Sequence, residues 1–307
     1  MRILLTGGSG MVGRNIQEHA RAQAVELVAP RRSELDLSDA AAVDAYLGSL
    51  KPDLIIHAAG TVGGIGANMA APVQFLTDNL TMGINLIMGA RRAGVRRLLN
   101  IGSSCMYPRA GENPLREETV LTGALEPTNE GYALAKIACA KLCTYIAEED
   151  PGFLYRTIIP CNLYGRHDKF DPLKAHMIPA VIAKIHSAVN TGASTVEIWG
   201  DGEARREFMY AGDLADFIFA AIDRFEDLPQ DMNVGIGVDR SINDYYREIA
   251  RILGYRGEFV HDLSKPSGMR RKLVDISRLK AFGWQARTGL EQGLRATLAF
   301  YEDGRGQ

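Results

Sequence analysis

Cysteine is scarce in this sequence, with four residues in 307, at positions 105, 139, 143 and 161. So few cannot form a disulfide framework for a chain of this length, and their spacing lacks the paired C-x-x-C arrangement of a zinc site. No metal is therefore expected, and a reducing, cytoplasmic setting fits best. Long apolar runs are missing too: none approaches the ~18 residues needed to cross a bilayer. The first strand-like stretch begins at Arg2, with no charged-then-apolar leader before it, so neither secretion nor membrane insertion is expected. There is no excess charge of either sign. Thirty-five Lys and Arg against 37 Asp and Glu leave a formal net charge of -2, which provides no footprint for nucleic acid or an anionic membrane. Repeats and low-complexity tracts are also lacking. With 46% hydrophobic and 23% charged residues, collagen, coiled coil and wholesale disorder are excluded. The length suits two domains or one large α/β unit.

What the sequence does contain is alternation. Arg2 to Thr6 (RILLT) reads as a buried strand, followed by a Gly-rich turn and a helix from about Met11 to Ala22. A second strand, Val25 to Ala29, ends at Pro30. A helix from Ser38 to Leu50, with Ser38 as N-cap, leads to a third apolar run, Asp53 to Ala59. Pro72 to Arg92 reads as a helix stopping at Gly94, Arg97 to Gly102 as another buried strand, Thr128 to Glu149 as helix and Leu154 to Pro160 as strand. Strands apolar on both faces and spaced by helices describe an α/β fold with a doubly wound parallel sheet of the Rossmann type. Beyond Asn162 the texture changes. The helix His176 to Val189 is interleaved with short strands (Val196 to Trp199, Glu207 to Tyr210) and Arg- and Lys-rich loops. A smaller second α/β domain for the substrate is expected there, with a discontinuous boundary: residues 1–165 with about 206–238, against about 166–205 with 239–307.

The segment TGGSGMVG places Gly7, Gly10 and Gly13 directly after the first strand and at the head of a helix. Glycines let the backbone approach a pyrophosphate, whose charge the helix N-terminus favours, so a dinucleotide is the expected ligand. An NAD site would show Asp or Glu at the end of the second strand. This chain has Pro30, Arg31 and Arg32 there, and arginine suits a 2′-phosphate. Asp36 follows at a position from which a carboxylate can accept from adenine, or equally start the next helix. Tyr132 and Lys136 lie four apart on one helical face. A cation beside a tyrosine is expected to lower the phenol toward the range where it exchanges a proton, as a carbonyl reduction requires. Ser103 and Ser104 follow the strand that ends at Gly102, on the same carboxyl-end edge as the glycine loop.

Serine, tyrosine and lysine in this order resemble the short-chain dehydrogenase/reductase superfamily, and the chain looks like an extended member. The segments GSSCMYP, LEPTNEGYALAKIA, PCNLYGRHD, HMIPAVIAK, GEARREF and KPSGMRRKL follow the order seen in the GDP-L-fucose synthase family. The likeness runs from the glycine loop to the C-terminal region. It implies NADPH-dependent 3,5-epimerisation and 4-reduction of GDP-4-keto-6-deoxy-D-mannose to GDP-L-fucose. The same chemistry on another GDP-4-keto-deoxy sugar, a 3,6-dideoxyhexose or a heptose, is the alternative, and a non-catalytic NADP-binding regulator is a third. A dehydratase typically carries Asp-Glu where this chain has Cys105 and Met106, and a 4-epimerase lacks the Cys105 and His176 pair.

Without the resemblance, Cys105 reads as a small apolar residue like Cys139 and Cys143 on their helix, and His176 as a helix-start or core histidine. The resemblance implies catalytic roles for Ser103, Cys105, Tyr132, Lys136 and His176. Carbons 3 and 5 flank the carbonyl of a 4-keto sugar, so their protons are acidified. A thiolate on one face and an imidazole on the other can invert each centre. By the same likeness the cofactor lies against Gly7, Gly8, Ser9, Gly10, Met11, Val12 and Gly13, against Arg31, Arg32 and Asp36, against Ile101, Gly102, Ser103 and Ser104, and against Lys136, Pro160, Asn162, Leu163 and His176. Substrate contacts fall on Lys184, Trp199, Arg206 and Lys272, since cations suit a diphosphate and an indole plane packs against sugar or base. A homodimer through the helices Pro72 to Arg92 and Thr128 to Glu149 is also implied. Two departures from the family are Ser9, where a basic residue is frequent, and Ser267, where an acidic residue is common.

Overall fold

A computed structural model describes residues 1–171, 175–265 and 268–305; Ser267 lies outside them. The first half runs β1 (Arg2–Thr6), α1 (Met11–Glu18), β2 (Glu26–Val28), α2 (Ala40–Leu50), β3 (Leu54–His57), α3 (Ile65–Ala70), α4 (Pro72–Arg92), β4 (Arg97–Ile101), α5 (Glu130–Glu149) and β5 (Leu154–Pro160). The second half runs β6 (Asn162–Tyr164), α6 (Met177–Thr191), β7 (Thr195–Trp199), β8 (Arg205–Arg206), β9 (Phe208–Tyr210), α7 (Ala211–Asp223), β10 (Asp231–Val234), β11 (Arg240–Ser241), α8 (Ile242–Leu253), β12 (Glu258–Asp262), β13 (Arg271–Lys272), α9 (Ser277–Phe282) and α10 (Leu290–Phe300).

Six strands form one sheet in the order β10-β5-β4-β3-β1-β2, and every neighbouring pair is parallel. Alternation along the strands explains why they are apolar throughout. Leu4, Ile55, Leu98 and Tyr155 meet Val43 and Leu47 of α2, Leu86 and Ile87 of α4 and Cys143 of α5 in one core. Ile3, Leu5, Leu54, Ile56 and Leu99 face the other way, into a core shared with Ile16 of α1 and Leu214 and Ile218 of α7. Helices therefore cover both faces. Strand β1 has β2 on one side and β3 on the other, so the strand order reverses there and a crevice opens beyond their carboxyl ends.

Several boundaries differ from expectation: α6, for one, runs from Met177 to Thr191 rather than from His176 to Val189, and β3 is trimmed to Leu54–His57. Helix α1 ends at Glu18 and a 3-10 turn, Ala20–Ala24, takes over. Helix α2 starts two residues later than expected because Asp39, not Ser38, is the N-cap: its carboxylate accepts from the N–H groups of Ala41 and Ala42. The expected helix at Thr128 begins at Glu130, behind a short turn over Pro127–Asn129. A third core joins Tyr164, Phe170, Ile178, Ile182, Ile198, Tyr245, Ile249 and Leu294, packing α6, α8 and α10 together. Leu279, Phe282 and Trp284 belong instead to the core with α7. A three-stranded ribbon, β11-β8-β13, forms a small sheet of its own.

Candidate active site

The glycine loop occupies the crevice. Gly7 has φ +74° and its α-carbon lies so near β3's exit that a Cβ would sit 2.5 Å from the Ala59 nitrogen. At Gly13 a Cβ would come within 2.2 Å of the Gly7 carbonyl oxygen, so α1 packs onto the turn only with glycine there. Gly8 is buried, whereas Ser9 and Gly10 are exposed and Met11 and Val12 half-buried. Gly10 is the N-cap of α1 and offers no side-chain cap, and a Cβ there would meet only the Gly7 oxygen, at 3.5 Å. The first N–H groups of α1 thus face an open cradle suited to a pyrophosphate.

Beyond β2, Arg31 and Arg32 are exposed. The backbone N–H of Arg31 donates to Glu34, and Arg32 Nε lies 3.5 Å from an Asp36 oxygen. Asp36 accepts from both the N–H and the hydroxyl of Ser38, and these bonds, with Arg32, hold its carboxyl below the usual carboxylate range. It organises the turn ahead of α2. Of the other expected cofactor contacts, Ser104 is buried in a 3-10 turn, while Gly102 is so closely packed that a Cβ would lie 3.0 Å from the Met106 sulfur. Pro160 is buried at the end of β5. The Asn162 amide donates to the Glu207 carbonyl, and Leu163 packs against the α7-side core.

Ser103, Tyr132 and Lys136 converge at the end of β4. The Ser103 hydroxyl accepts from the Cys105 N–H at 3.2 Å and bonds to the Tyr132 phenol. One turn along α5, the buried Lys136 ammonium lies 5.8 Å from the centre of the Tyr132 ring and donates to the Ile101 carbonyl at 2.8 Å. Burial pushes the phenol well up, Cys105 adds to that, and the Ser103 bond pulls it down. This corrects the expected lowering by Lys136: desolvation outweighs a cation whose hydrogen bond is turned toward Ile101. Burial also lowers Lys136.

Cys105 is half-exposed, whereas Cys139, Cys143 and Cys161 are buried. Two nitrogens approach its sulfur: Asn129 Nδ2 at 3.0 Å and Lys272 Nζ at 3.6 Å. Lys272 gets there through the ribbon. It pairs in register with Arg206, as Arg271 does with Arg205, and register partners share a face. The outward pair, Arg205 and Arg271, is held by Asp239. Burial raises that carboxyl, but the hydrogen bonds from Arg271 and Arg205 outweigh it and keep it below the usual range. The inward pair, Arg206 and Lys272, faces the Cys105 sulfur. Glu207, fully buried, fastens the ribbon by accepting from the N–H groups of Ile236, Gly237 and Val274.

His176 is the N-cap residue of α6 and is exposed. Burial, Lys169 and Lys272 all lower its imidazole, which favours the neutral ring. Lys184 of α6 donates to the Glu197 carbonyl at 2.8 Å, and the exposed Trp199 donates to the Glu197 carboxylate at 2.9 Å. Tyr246 of α8 reaches the same Glu197 carbonyl, and Tyr245 the Arg206 carbonyl, so one helix braces both groups of expected substrate contacts. Sequence reasoning missed Asn129, Asp239, Glu207 and the buried His57 beside Lys136. Asn129 stands in the quoted LEPTNEGY segment, but only the fold turns it toward Cys105. Among the described residues there is no cluster suited to a metal, and no helix long and apolar enough to cross a membrane.

A glycine cradle at a parallel-sheet switch point, beside a serine, tyrosine and lysine trio, defines a dinucleotide-binding α/β protein of the extended short-chain dehydrogenase/reductase type. A family model described as the NAD dependent epimerase/dehydratase family matches residues 3–235, and the chain belongs to that family. It is 57% identical to a GDP-L-colitose synthase of Yersinia pseudotuberculosis over 98% of each chain. It is 50% identical to a GDP-L-fucose synthase of Azorhizobium caulinodans, over 99% of this chain and 97% of the relative. A solved GDP-mannoheptose C4 reductase from Campylobacter jejuni with NADP bound superposes with a TM-score of 0.87 at 30% identity, covering 98% of each chain.

Proposed function

We propose that this protein is an NADPH-dependent epimerase and reductase that converts GDP-4-keto-6-deoxy-D-mannose to GDP-L-fucose by inversion at C3 and C5 and reduction at C4. One observation carries the reading: the half-exposed Cys105 stands two residues after Ser103, close enough to act on the Tyr132 phenol, so a proton-abstracting thiol and a ketone-reducing trio share one pocket. A relative named for GDP-L-fucose synthesis supports it. A non-catalytic regulator has no need of the full trio.

NADPH, when bound, supplies the hydride. Arg31 and Arg32 would pair with its 2′-phosphate, and Lys136 would hold its ribose. Ser103 orients the sugar carbonyl, and Tyr132 delivers a proton to O4. Arg206 and Lys272 take the diphosphate, while Lys184 and Trp199 meet the remainder of the nucleotide. Cys105 removes the protons next to the carbonyl and His176 returns one from the opposite face. Burial first, and then Lys169 and Lys272, holds His176 toward the neutral ring, and a docked diphosphate would offset only the two cations. Residues 1–165 with about 206–238 form the cofactor unit, and about 166–205 with 239–307 the substrate unit. The separate core around Ile182, Ile198 and Tyr245 supports this division, although Tyr164 and Phe208 of the cofactor unit join that core and Leu279, Phe282 and Trp284 pack against the cofactor unit. A homodimer is supported by exposed apolar side chains on the adjoining α4 and α5: Val73, Ile84, Leu134 and Tyr145.

The colitose relative favours a second reading, a GDP-4-keto-3,6-dideoxyhexose as substrate. Such a sugar has no stereocentre at C3, so only C5 is inverted. Incubating the protein with each ketone and NADPH, then identifying products by NMR, tests both. Formation of GDP-L-fucose at the higher kcat/KM supports the first reading. A preference for the dideoxy ketone replaces it with the second, and consumption of neither ketone rejects both.

A further inference from the structure

We infer that Lys272 is a positioning residue that holds Cys105 as the thiolate needed for proton abstraction, in addition to any contact with diphosphate; this rests on the role proposed for Cys105. The ribbon geometry carries the argument. Asp239 takes both outward guanidiniums, Arg205 and Arg271, so they are anchored away from the pocket, while register with Arg206 sends Lys272 inward. There its ammonium, on a buried side chain, lies 3.6 Å from the Cys105 sulfur. On the other side the Asn129 amide donates to the same sulfur at 3.0 Å. A thiol offers little to two converging N–H donors, whereas a thiolate is stabilised by both, and most by the cation.

The neutral Tyr132 phenol and Arg206 also act on the sulfur; Glu126 acts on Arg206 and accepts from the Thr128 hydroxyl, and the His176 imidazole faces Lys272. An ammonium has three N–H bonds, so Lys272 can hold the sulfur and a phosphate oxygen together. In the step it serves, the sugar C–H bond breaks, the proton joins sulfur and the electron pair moves onto the carbonyl oxygen. Removing Lys272 should therefore reduce the rate of proton exchange at saturating substrate as well as raise KM. A residue serving only as a diphosphate ligand would change KM alone.

The test uses the full chain without sugar or cofactor: the rate of iodoacetamide alkylation of Cys105, located by mass spectrometry, at pH 7 and pH 10. The other three cysteines are buried. Lys272→Gln keeps a donor and removes the charge. It should slow alkylation at pH 7 about tenfold, since an opposite charge this near shifts ionisation by an order of magnitude or more and a softer nucleophile returns part of that. At pH 10, where thiols are ionised regardless, the two rates should converge, and Lys272→Arg should stay within about threefold of wild type at pH 7. Equal rates for wild type and Lys272→Gln at pH 7 overturn the inference. So does a deficit that persists at pH 10, which reports altered access, or a Lys272→Arg variant as slow as Lys272→Gln. No sugar enters the assay, so failure of the proposed substrate leaves its outcome unaffected.

Discussion

His57 ties stability to pH in a way that can be calculated. It ends β3, is 2% exposed, and places Nδ1 2.9 Å from the Thr6 hydroxyl. Burial, and then the nearby Lys136 ammonium, lowers its imidazole to about 3, against about 6.5 in an unfolded chain. Between those values the unfolded state binds a proton that the folded state refuses, so stability falls as pH drops from 6.5 toward 3 and levels off below. At about 1.4 kcal/mol per pH unit, going from pH 7.5 to 5.0 costs the wild type about 2 kcal/mol through this group. His57→Asn retains a polar partner for Thr6 and does not titrate. Urea unfolding of both proteins at the two pH values isolates the effect, because contributions from the other five histidines cancel in the comparison. The wild type should lose about 2 kcal/mol more than the variant on acidification. Equal losses would refute the argument, and with it the placement of a neutral imidazole against the Lys136 ammonium.

Other outcomes follow from the pocket itself. Tyr132→Phe removes only the hydroxyl, so NADPH oxidation with a 4-keto substrate should fall about 100-fold or more; near-normal turnover excludes Tyr132 as the proton donor. Replacing Arg31 and Arg32 together by Glu should weaken NADPH about tenfold or more while sparing NADH, and titration showing equal loss for both cofactors removes these side chains from the 2′-phosphate. Cys105→Ser substitutes a far poorer base, so solvent deuterium entry next to the carbonyl should drop about 100-fold with NADPH affinity retained. Exchange at the wild-type rate would reduce Cys105 to a packing residue.

Much of the frame was legible because local chemistry decides it. RILLT, the glycine triplet and the helix after it specify a βα turn whatever surrounds them, and Gly13 against the Gly7 carbonyl is why that spacing works. Short apolar runs likewise announced β3, β4 and β5. The start of α2 was less clear, since Ser38 and Asp39 are both good caps and only Asp39 closes on the next N–H groups. What stayed hidden depends on chain returns. Lys272 stands 167 residues from Cys105, and nothing near either residue announces their meeting; it follows from two-residue strands too short to show a pattern. Asp239, which sorts the four cations of the ribbon by face, is invisible for the same reason. The sign of the Tyr132 shift was missed because sequence spacing shows that Lys136 is near but not that the surrounding protein desolvates the phenol.

The most direct measurement of the central claim follows two isotopes in one reaction. The protein is incubated with GDP-4-keto-6-deoxy-D-mannose, once with NADPH deuterated at the transferred position in ordinary water and once with unlabelled NADPH in heavy water, and each product is read by NMR. A thiol base and a reducing trio in one pocket predict cofactor deuterium at C4 only and solvent deuterium at the inverted carbons only. Reduction without solvent deuterium at C3 or C5, or a C4 hydrogen drawn from water, would contradict the account.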